Sequence, residues 1–420
     1  MESLTHVDVA VVGGGLAGLT AAHYAASRGA TVHLIEGRAT VGGRARTDQR
    51  NGFCFNEGAH ALSKGGLAKP ILREMGVAIE GKMPSVAATR WVAPEGAAAT
   101  VRMMPPRAMA ELSAWFARVA VKRSDPGLAR ISVAEWLDAA HLSATARPYV
   151  DSLIRLATYC GDFSTLSADA AVGQLLGTSR GVLYLHGGWQ RLVDQVRSSL
   201  NVAKVTILPS VSVRSITADE RGWAVRDADQ TVCTAASVVL AVGTPRTAAT
   251  LLGGASDELA VTAERAAPVD AACLDLGLRS WPAGGKRLVL GTSEPLYFSV
   301  HTPAAKLAPA GGALVHTMRY EPGTAETDPI GSLESLMDLA CEGWRSVEVE
   351  RQIGKRRIVM GDRPQPGRGL RGRIGVTLTD AAGIYLAGDW VGPAGLLSDA
   401  AISSGRAAGI AAAHSTTRDR

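Results

Sequence analysis

Aromatic residues make up only 5% of this 420-residue chain. No stretch is apolar for the roughly 18 residues that a membrane-spanning helix needs. With few rings but 47 glycines and abundant alanine, the composition suits helices packed tightly on sheets. Cysteine is also sparse: Cys54, Cys160, Cys233, Cys273 and Cys341 are scattered, odd in number and without a Cys-x-x-Cys pair. That distribution argues against a disulfide framework and against a zinc site, so no metal is expected. Nor is there a strong excess of one charge. A formal +5 is mild for this length, and no basic stripe is interleaved with aromatics, so nucleic acid is not an expected partner. What remains, 46% hydrophobic and 20% charged, is an ordinary globular composition, long enough for two domains. The first apolar run begins within about seven residues of Met1, which leaves no room for a leader and makes the cytoplasm the expected location.

That first run, Val9-Ala10-Val11-Val12, ends in Gly13-Gly14-Gly15-Leu16-Ala17-Gly18 and opens into an alanine-rich helical stretch. Strand, turn and helix in this order form a dinucleotide-binding unit. Gly13 permits the tight turn, Gly15 lets backbone approach a pyrophosphate, and Gly18 brings helix against strand. A helix opening at Leu16 and Ala17 presents free N–H groups to the phosphates. A second apolar run, Ala30-Thr31-Val32-His33-Leu34-Ile35, ends in Glu36, placed to accept hydrogen bonds from a ribose.

The residues that follow, Glu36-Gly37-Arg38 and Val41-Gly42-Gly43-Arg44-Ala45-Arg46-Thr47, resemble the second flavin signature of the superfamily of amine oxidases, protoporphyrinogen oxidases and phytoene or squalene desaturases. The C-terminal stretch Ile384-Tyr385-Leu386-Ala387-Gly388-Asp389-Trp390, followed by a helix of small residues from Asp399, resembles the closing motif of that superfamily. The resemblance implies an α/β fold in which a Rossmann-like FAD-binding domain is interleaved with an α+β substrate-binding domain. It implies FAD as cofactor, contacted by Arg38, Gly43 and Arg44 near the phosphates and by Gly388 and Asp389 at the ribityl-phosphate region. The backbone N–H of Ser398 would face the flavin carbonyl, Val213 would meet the adenine through its backbone, and Gly58-Ala59-His60 would lie beside the isoalloxazine. No cysteine lies in the closing motif where some amine oxidases attach flavin, so the cofactor is expected to be non-covalent.

On this reading residues 1–80, 186–250 and 370–420 form the FAD-binding domain, and 81–185 and 251–369 the substrate-binding domain. The first part of the latter looks helical and the second strand-rich. Apolar runs at Val205 to Ile216, Trp223 to Val225 and Val238 to Val242 read as strands, and Gly187-Gly188-Trp189 as the start of a helix. His60 is the candidate for proton chemistry. The alternative is that it packs against FAD, since a hydride acceptor needs no protein nucleophile. Tyr297, His301 and Trp390 are candidates for lining the substrate cavity, each with core packing as the alternative.

Two further stretches carry open readings. Between Arg351 and Arg373 stand eight basic residues and one acid, Asp362, either an anion-attracting rim or a solvated surface. Pro105 to Arg123 has apolar residues at helical spacing, which fits a monotopic helix giving peripheral membrane contact or a helix buried against the cavity.

The amine-oxidase branch commonly carries a lysine near flavin N5, and Pro268 to Leu276 contains none. The Gly388-Asp389-Trp390 triplet looks closer to the desaturase branch. The expected activity is therefore FAD-dependent hydride removal from an apolar or conjugated small molecule, with oxygen, a quinone or another acceptor reoxidising the flavin. An amine or amino-acid oxidase is the alternative within enzymes. A non-redox flavin isomerase or a prenyl-group carrier is the alternative of another class.

Overall fold

In the computed structural model, which describes residues 5–85, 89–95, 98–200, 205–302, 304–323 and 327–418, the first apolar run becomes the strand His6–Val12, central to a seven-stranded sheet. Across this sheet the strands lie in the order Val205–Pro209, Val32–Glu36, His6–Val12, Thr231–Leu240, Gly222–Arg226 and Ser215–Asp219. The first four run parallel, and His6–Val12 is buried after its first residue. A parallel strand covered on both faces is apolar throughout rather than alternating, which is why this run was readable. Thr231–Leu240 is long enough to hold two partners on one edge: Gly222–Arg226 antiparallel, then Ile384–Leu386 parallel. The last link draws the C-terminal motif beside the N-terminal one.

The helix Leu16–Ala26 is buried at ten of its eleven positions, because the sheet covers one side and the last helix, Leu397–Arg418, the other. Small residues permit that approach. A Cβ on Gly405 would lie 2.3 Å from the Ala17 carbonyl oxygen, and one on Gly409 2.2 Å from that of Ala21.

A second seven-stranded sheet has the order Glu348–Met360, Val269–Leu278, Ala313–Tyr320, Leu296–Val300, Leu288–Gly291, Thr89–Glu95 and Ala98–Arg102. Its strands alternate. Leu274, Leu276, Phe298 and Val315 pack under the helix Pro329–Ala340. Cys273, Met318, Tyr297 and Tyr320 point to the opposite face. Two-residue periodicity thus gives one structural face and one face free to build a site.

Two readings need correction. The segment 81–185 is not purely helical: Thr89–Glu95 and Ala98–Arg102 pair and extend the second sheet. Their partner Leu288–Gly291 lies nearly 200 residues onward, so no local pattern announced them. Val205 to Ile216 is two strands, broken where Ser210 and Val211 donate backbone hydrogen bonds to the carbonyls of Arg38 and Glu36. The basic stretch after Arg351 begins as the edge strand Glu348–Met360, whose outward charges oppose strand addition by another chain. In the helix Pro106–Val121 the residues Ala108, Trp115 and Val119 are buried in protein, while Met109 and Val121 are exposed. Among the described residues no helix is long and apolar enough to cross a membrane.

The helix contact yields a prediction. Gly409→Ala overpacks the two helices and should lower unfolding stability by about 1–3 kcal/mol in denaturant titration.

Candidate active site

The glycine turn is dictated by contacts. Gly13 has φ 109°, and a Cβ on Gly18 would lie 1.9 Å from the Gly13 carbonyl oxygen, so neither position accepts a side chain. Above Gly15 there is open space, with no atom within 4 Å of a notional Cβ. A pyrophosphate has room to approach there, over the start of the Leu16–Ala26 helix with Leu16 and Ala17 in its first turn. Glu36 braces the turn: its carboxylate accepts from Gly14 N–H at 2.7 Å and from Arg38 N–H at 2.8 Å. Two amides leave lone pairs on that carboxylate for ribose hydroxyls. Gly43, at φ 54°, sits on Gly15, where a Cβ would be 3.2 Å from the Gly15 Cα. Gly42 N–H donates to the Gly14 carbonyl at 2.8 Å, so the two glycine motifs are one surface. Val213 lies between the strands ending at Pro209 and beginning at Ser215, beside the segment hydrogen-bonded to Glu36. These residues fit the dinucleotide half of FAD.

Arg44 and Asp389 are brought to each other. The guanidinium bonds the carboxylate through both Nη atoms, at 2.7 and 2.8 Å, and donates to the Val359 carbonyl at 3.1 Å. Asp389 also accepts from Gly361 N–H at 3.0 Å and is only 1% exposed. Arg44 keeps 39% of its side-chain surface accessible, yet burial works against its charge and the Asp389 carboxylate outweighs that, leaving its pKa raised. Arg373 donates to the Asp389 carbonyl at 2.9 Å, and burial pushes its guanidinium down to about 10.

Gly388 exchanges hydrogen bonds with Ser404, N–H to Oγ at 3.0 Å and Oγ–H to carbonyl at 2.9 Å. This tie between strand end and last helix involves a serine that the sequence reading passed over. Ser398 occupies the first turn of that helix, just after Leu397 at φ 54°. Trp390 does not line a cavity. It is 1% exposed in the core of the first sheet, with its indole N–H donating to the Val242 carbonyl at 3.0 Å.

Gly58-Ala59-His60 crosses the open face of the second sheet. A Cβ on Gly58 would touch the Cys273 Sγ at 3.4 Å, and the Tyr159 hydroxyl donates to the Ala59 carbonyl at 3.1 Å. His60 Nδ1 lies 2.9 Å from the Gly58 carbonyl, and its ring tilts against Trp189 at 5.1 Å. Burial holds its pKa below the usual value.

Beneath this segment runs a polar row that the sequence reading missed. Gln352, Asp275, His316 and Ser299 are direct cross-strand neighbours. His316 Nδ1 lies 2.7 Å from Asp275, both side chains fully buried, and Gln352 Nε2 donates to Asp275 at 3.1 Å and to the Asn56 carbonyl at 2.7 Å. In a neutral ring the proton therefore sits on Nδ1 and Nε2 is a bare acceptor. His301, 1% exposed, stacks on Tyr184 at 3.7 Å and meets the His316 ring at 4.2 Å. Tyr297 lies 3.4 Å from His301 Nε2. Burial, then repulsion from His316 and His60, drives the His301 pKa well below its ordinary value. The only local signal was a polar residue at alternate positions of apolar strands.

Two predictions follow from these groups. Asp389→Ala strands the Arg44 charge; water screening of its exposed part limits the loss to about 1–3 kcal/mol of stability. FAD affinity should fall at least about tenfold by fluorescence titration, as it should for Glu36→Ala, whereas His60→Ala should leave FAD bound. His60 and His301 are held neutral in the fold but titrate near ~6.5 in the unfolded chain. As pH falls below that value the unfolded chain binds protons the fold refuses, so stability is lost toward acid. Asp362, pushed up to about 6 by burial, acts in the opposite sense below its own value. Melting temperature should therefore fall between pH 7 and 6, and His301→Phe should flatten that slope.

The profile of the family described as flavin containing amine oxidoreductase matches residues 16–263. The chain is 32% identical over 100 residues to protoporphyrinogen oxidase 2, chloroplastic/mitochondrial, of Arabidopsis thaliana, which is 23% of this chain and 19% of that protein. It is 48% identical over 58 residues to the carotenoid 3,4-desaturase of Haloarcula japonica, 14% of this chain and 12% of that one. These matches span less than a fifth of either relative. An oxidoreductase structure from Methanosarcina mazei superposes with TM-score 0.73 at 17% identity, covering 95% of this chain and 99% of that one. Putrescine oxidase bound to putrescine gives TM-score 0.73 at 17% identity, covering 96% and 98%. At such identities the likeness is one of fold. The family profile covers more than half of the chain and the fold agrees with it: the chain belongs to the flavin-containing amine oxidoreductase family and is a flavin-dependent oxidoreductase.

Proposed function

We propose that the enzyme removes a hydride from an apolar or conjugated small molecule, in the manner of a desaturase or dehydrogenase. One observation carries this reading: the face of the second sheet opposite Ala59 and His60 is largely aromatic and apolar, and its phenols, the Cys273 thiol, His60 and His301 are held uncharged. Burial, and then neighbouring hydroxyls, pushes the Tyr297 and Tyr320 phenols well above the usual range. Burial likewise raises Tyr159 and Cys273 and lowers His60 and His301. The Asp275 carboxylate is already engaged by His316 and Gln352. Such a surface solvates a neutral hydrocarbon and offers no counter-ion to a cationic amine.

FAD, when bound, supplies the hydride acceptor. Glu36, Gly15 and the helix opening at Leu16 would hold the dinucleotide end, and Arg38, Gly43, Arg44, Gly388, Asp389 and Ser398 the phosphates and ring. Gly58, Ala59 and His60 would lie beside the ring, between it and the second sheet. Tyr297 and His301, both buried, pack behind that face and would support the inner end rather than line it. The pairing of Gly388 with Ser404 and of Arg44 with Asp389 keeps these groups in place before the cofactor arrives, which limits reorganisation on binding. A link through cysteine would be disfavoured: burial pushes all five thiols up, Cys160 to about 12 and Cys233 and Cys341 to about 11, so each is a poor nucleophile. Residues 1–80, 186–250 and 370–420 make up the FAD-binding domain and 81–185 with 251–369 the substrate-binding domain. The division is supported by the strands of the two large sheets, which sort between these ranges.

Anaerobic mixing of the FAD-loaded protein with neutral dihydro-polyenes should bleach the flavin at a rate at least tenfold above that given by primary amines or amino acids. Faster bleaching by amines would replace this reading with amine oxidation. Subsequent exposure to air separates an oxidase, reoxidised within seconds, from a dehydrogenase using a quinone or another acceptor.

A further inference from the structure

On the outer side of the same apolar layer lies a surface recess of about 580 Å³, within the range of small-molecule sites. It opens between the edge strands of the second sheet and the starts of the helices Pro106–Val121 and Arg147–Thr158. Arg102 and Arg155 both line it. Arg155 is poorly served by protein: Nη1 reaches the Thr292 carbonyl at 3.3 Å, while Nε is buried with no hydrogen-bond partner. Tyr149, also in the lining, is 2% exposed and its hydroxyl has no partner. Asp151 is the acid of the lining, and Arg147 already holds it at 2.8 Å.

The helix Pro106–Val121 adds its own field. Pro105, its N-cap, lines the recess, with no side-chain cap and no acidic residue in the first turn. The positive end of the helix dipole is thus uncompensated. Two guanidiniums and a helix N-terminus line a recess whose one carboxylate, Asp151, is bonded by Arg147 and also faces Arg155. An anion in the recess would meet the guanidinium groups of Arg102 and Arg155 through charge-assisted hydrogen bonds.

The inward side is different in character. Tyr149 meets Trp91 edge-on at 5.3 Å, within the cluster that holds Tyr297, Met318 and Tyr320. Tyr320 meets Tyr159 at 6.2 Å, and the Tyr159 hydroxyl bonds the Ala59 carbonyl. The recess is therefore joined to the flavin-facing segment by a continuous apolar and aromatic layer.

We propose that this recess is a headgroup subsite for an anionic amphiphile, whose carboxylate or phosphate is held by Arg102 and Arg155 while its apolar body faces the layer leading to Ala59. The apolar body rests on the reading of the substrate given above; the anion site does not.

Calorimetric titration of the FAD-loaded protein with decanoate, decyl phosphate, decanol and decylammonium tests this. Both anions should bind at least about tenfold more tightly than decanol, and decylammonium more weakly still, as charge-assisted hydrogen bonds require. The tighter of the two anions identifies the headgroup. Arg155→Gln should reduce anion affinity to that of the alcohol with FAD content unchanged. The exposed Arg102→Gln serves as the second variant should Arg155→Gln fail to fold. Equal binding of decanoate and decanol, or wild-type anion affinity in the folded arginine variants, would overturn the proposal. If dihydro-polyenes fail to bleach the flavin while decanoate still binds through the arginines, the substrate reading fails and the anion site stands.

Discussion

Arg44 and Asp389 stand 345 residues apart in the chain and share a bidentate ion pair at the junction of the two large sheets. Arg44 also donates to Val359, on the edge strand of the second sheet, and Asp389 follows the Ile384–Leu386 strand of the first. Desolvating two charges is expensive, and their mutual attraction repays it only when the remaining donors and acceptors are met. Here they are met: Gly361 donates to Asp389, and Arg373 holds the carbonyl behind it. Gly361 itself has to be glycine, since a Cβ would lie 2.3 Å from the Gly243 carbonyl oxygen. Such a pair adds little net stability but fixes position, because any displacement leaves a charge uncompensated. The cofactor cradle inherits its geometry from this constraint, for it carries Gly43 onto Gly15 and Gly388 toward the last helix.

The opposite wall of the site obeys a different rule. The polar row Gln352, Asp275, His316 and Ser299 crosses four strands beneath an otherwise apolar face. Gln352 links that row to the Asn56 carbonyl, just before Gly58-Ala59-His60. The segment is therefore held from below by hydrogen bonds and left apolar above. Three imidazoles crowd there, and only His316 has a carboxylate partner among the described residues. Burial and mutual repulsion keep His60 and His301 uncharged, so the layer between flavin segment and outer recess stays a low-polarity medium.

The glycine turn and the strands around it were legible because their requirements are local. A turn that excludes Cβ at Gly13 and Gly18, a strand apolar on both faces, and an acid at the end of the next strand each occupy a few consecutive residues. The substrate half was less legible because its partners are distant in sequence. Thr89–Glu95 finds its neighbour at Leu288–Gly291, and Asp275 finds His316 and Gln352 only when three strands fall into register. Trp390 shows the same limit from the other side. Its place next to Gly388-Asp389 suggested the cavity, but the chain turns there, Val391 N–H bonding back to the Gly388 carbonyl, and the indole goes to the core.

The amino-acid sequence by itself determined the cofactor class and the bracketing of the chain by its binding motifs, since glycine sterics and apolar periodicity act over a handful of residues. Tertiary structure alone decided that Arg44 neutralises Asp389, that His316 meets Asp275, and that Arg102 and Arg155 open onto one recess. Those pairings depend on sheet register and strand order, which place residues far apart in the chain within hydrogen-bond reach and which no local pattern encodes.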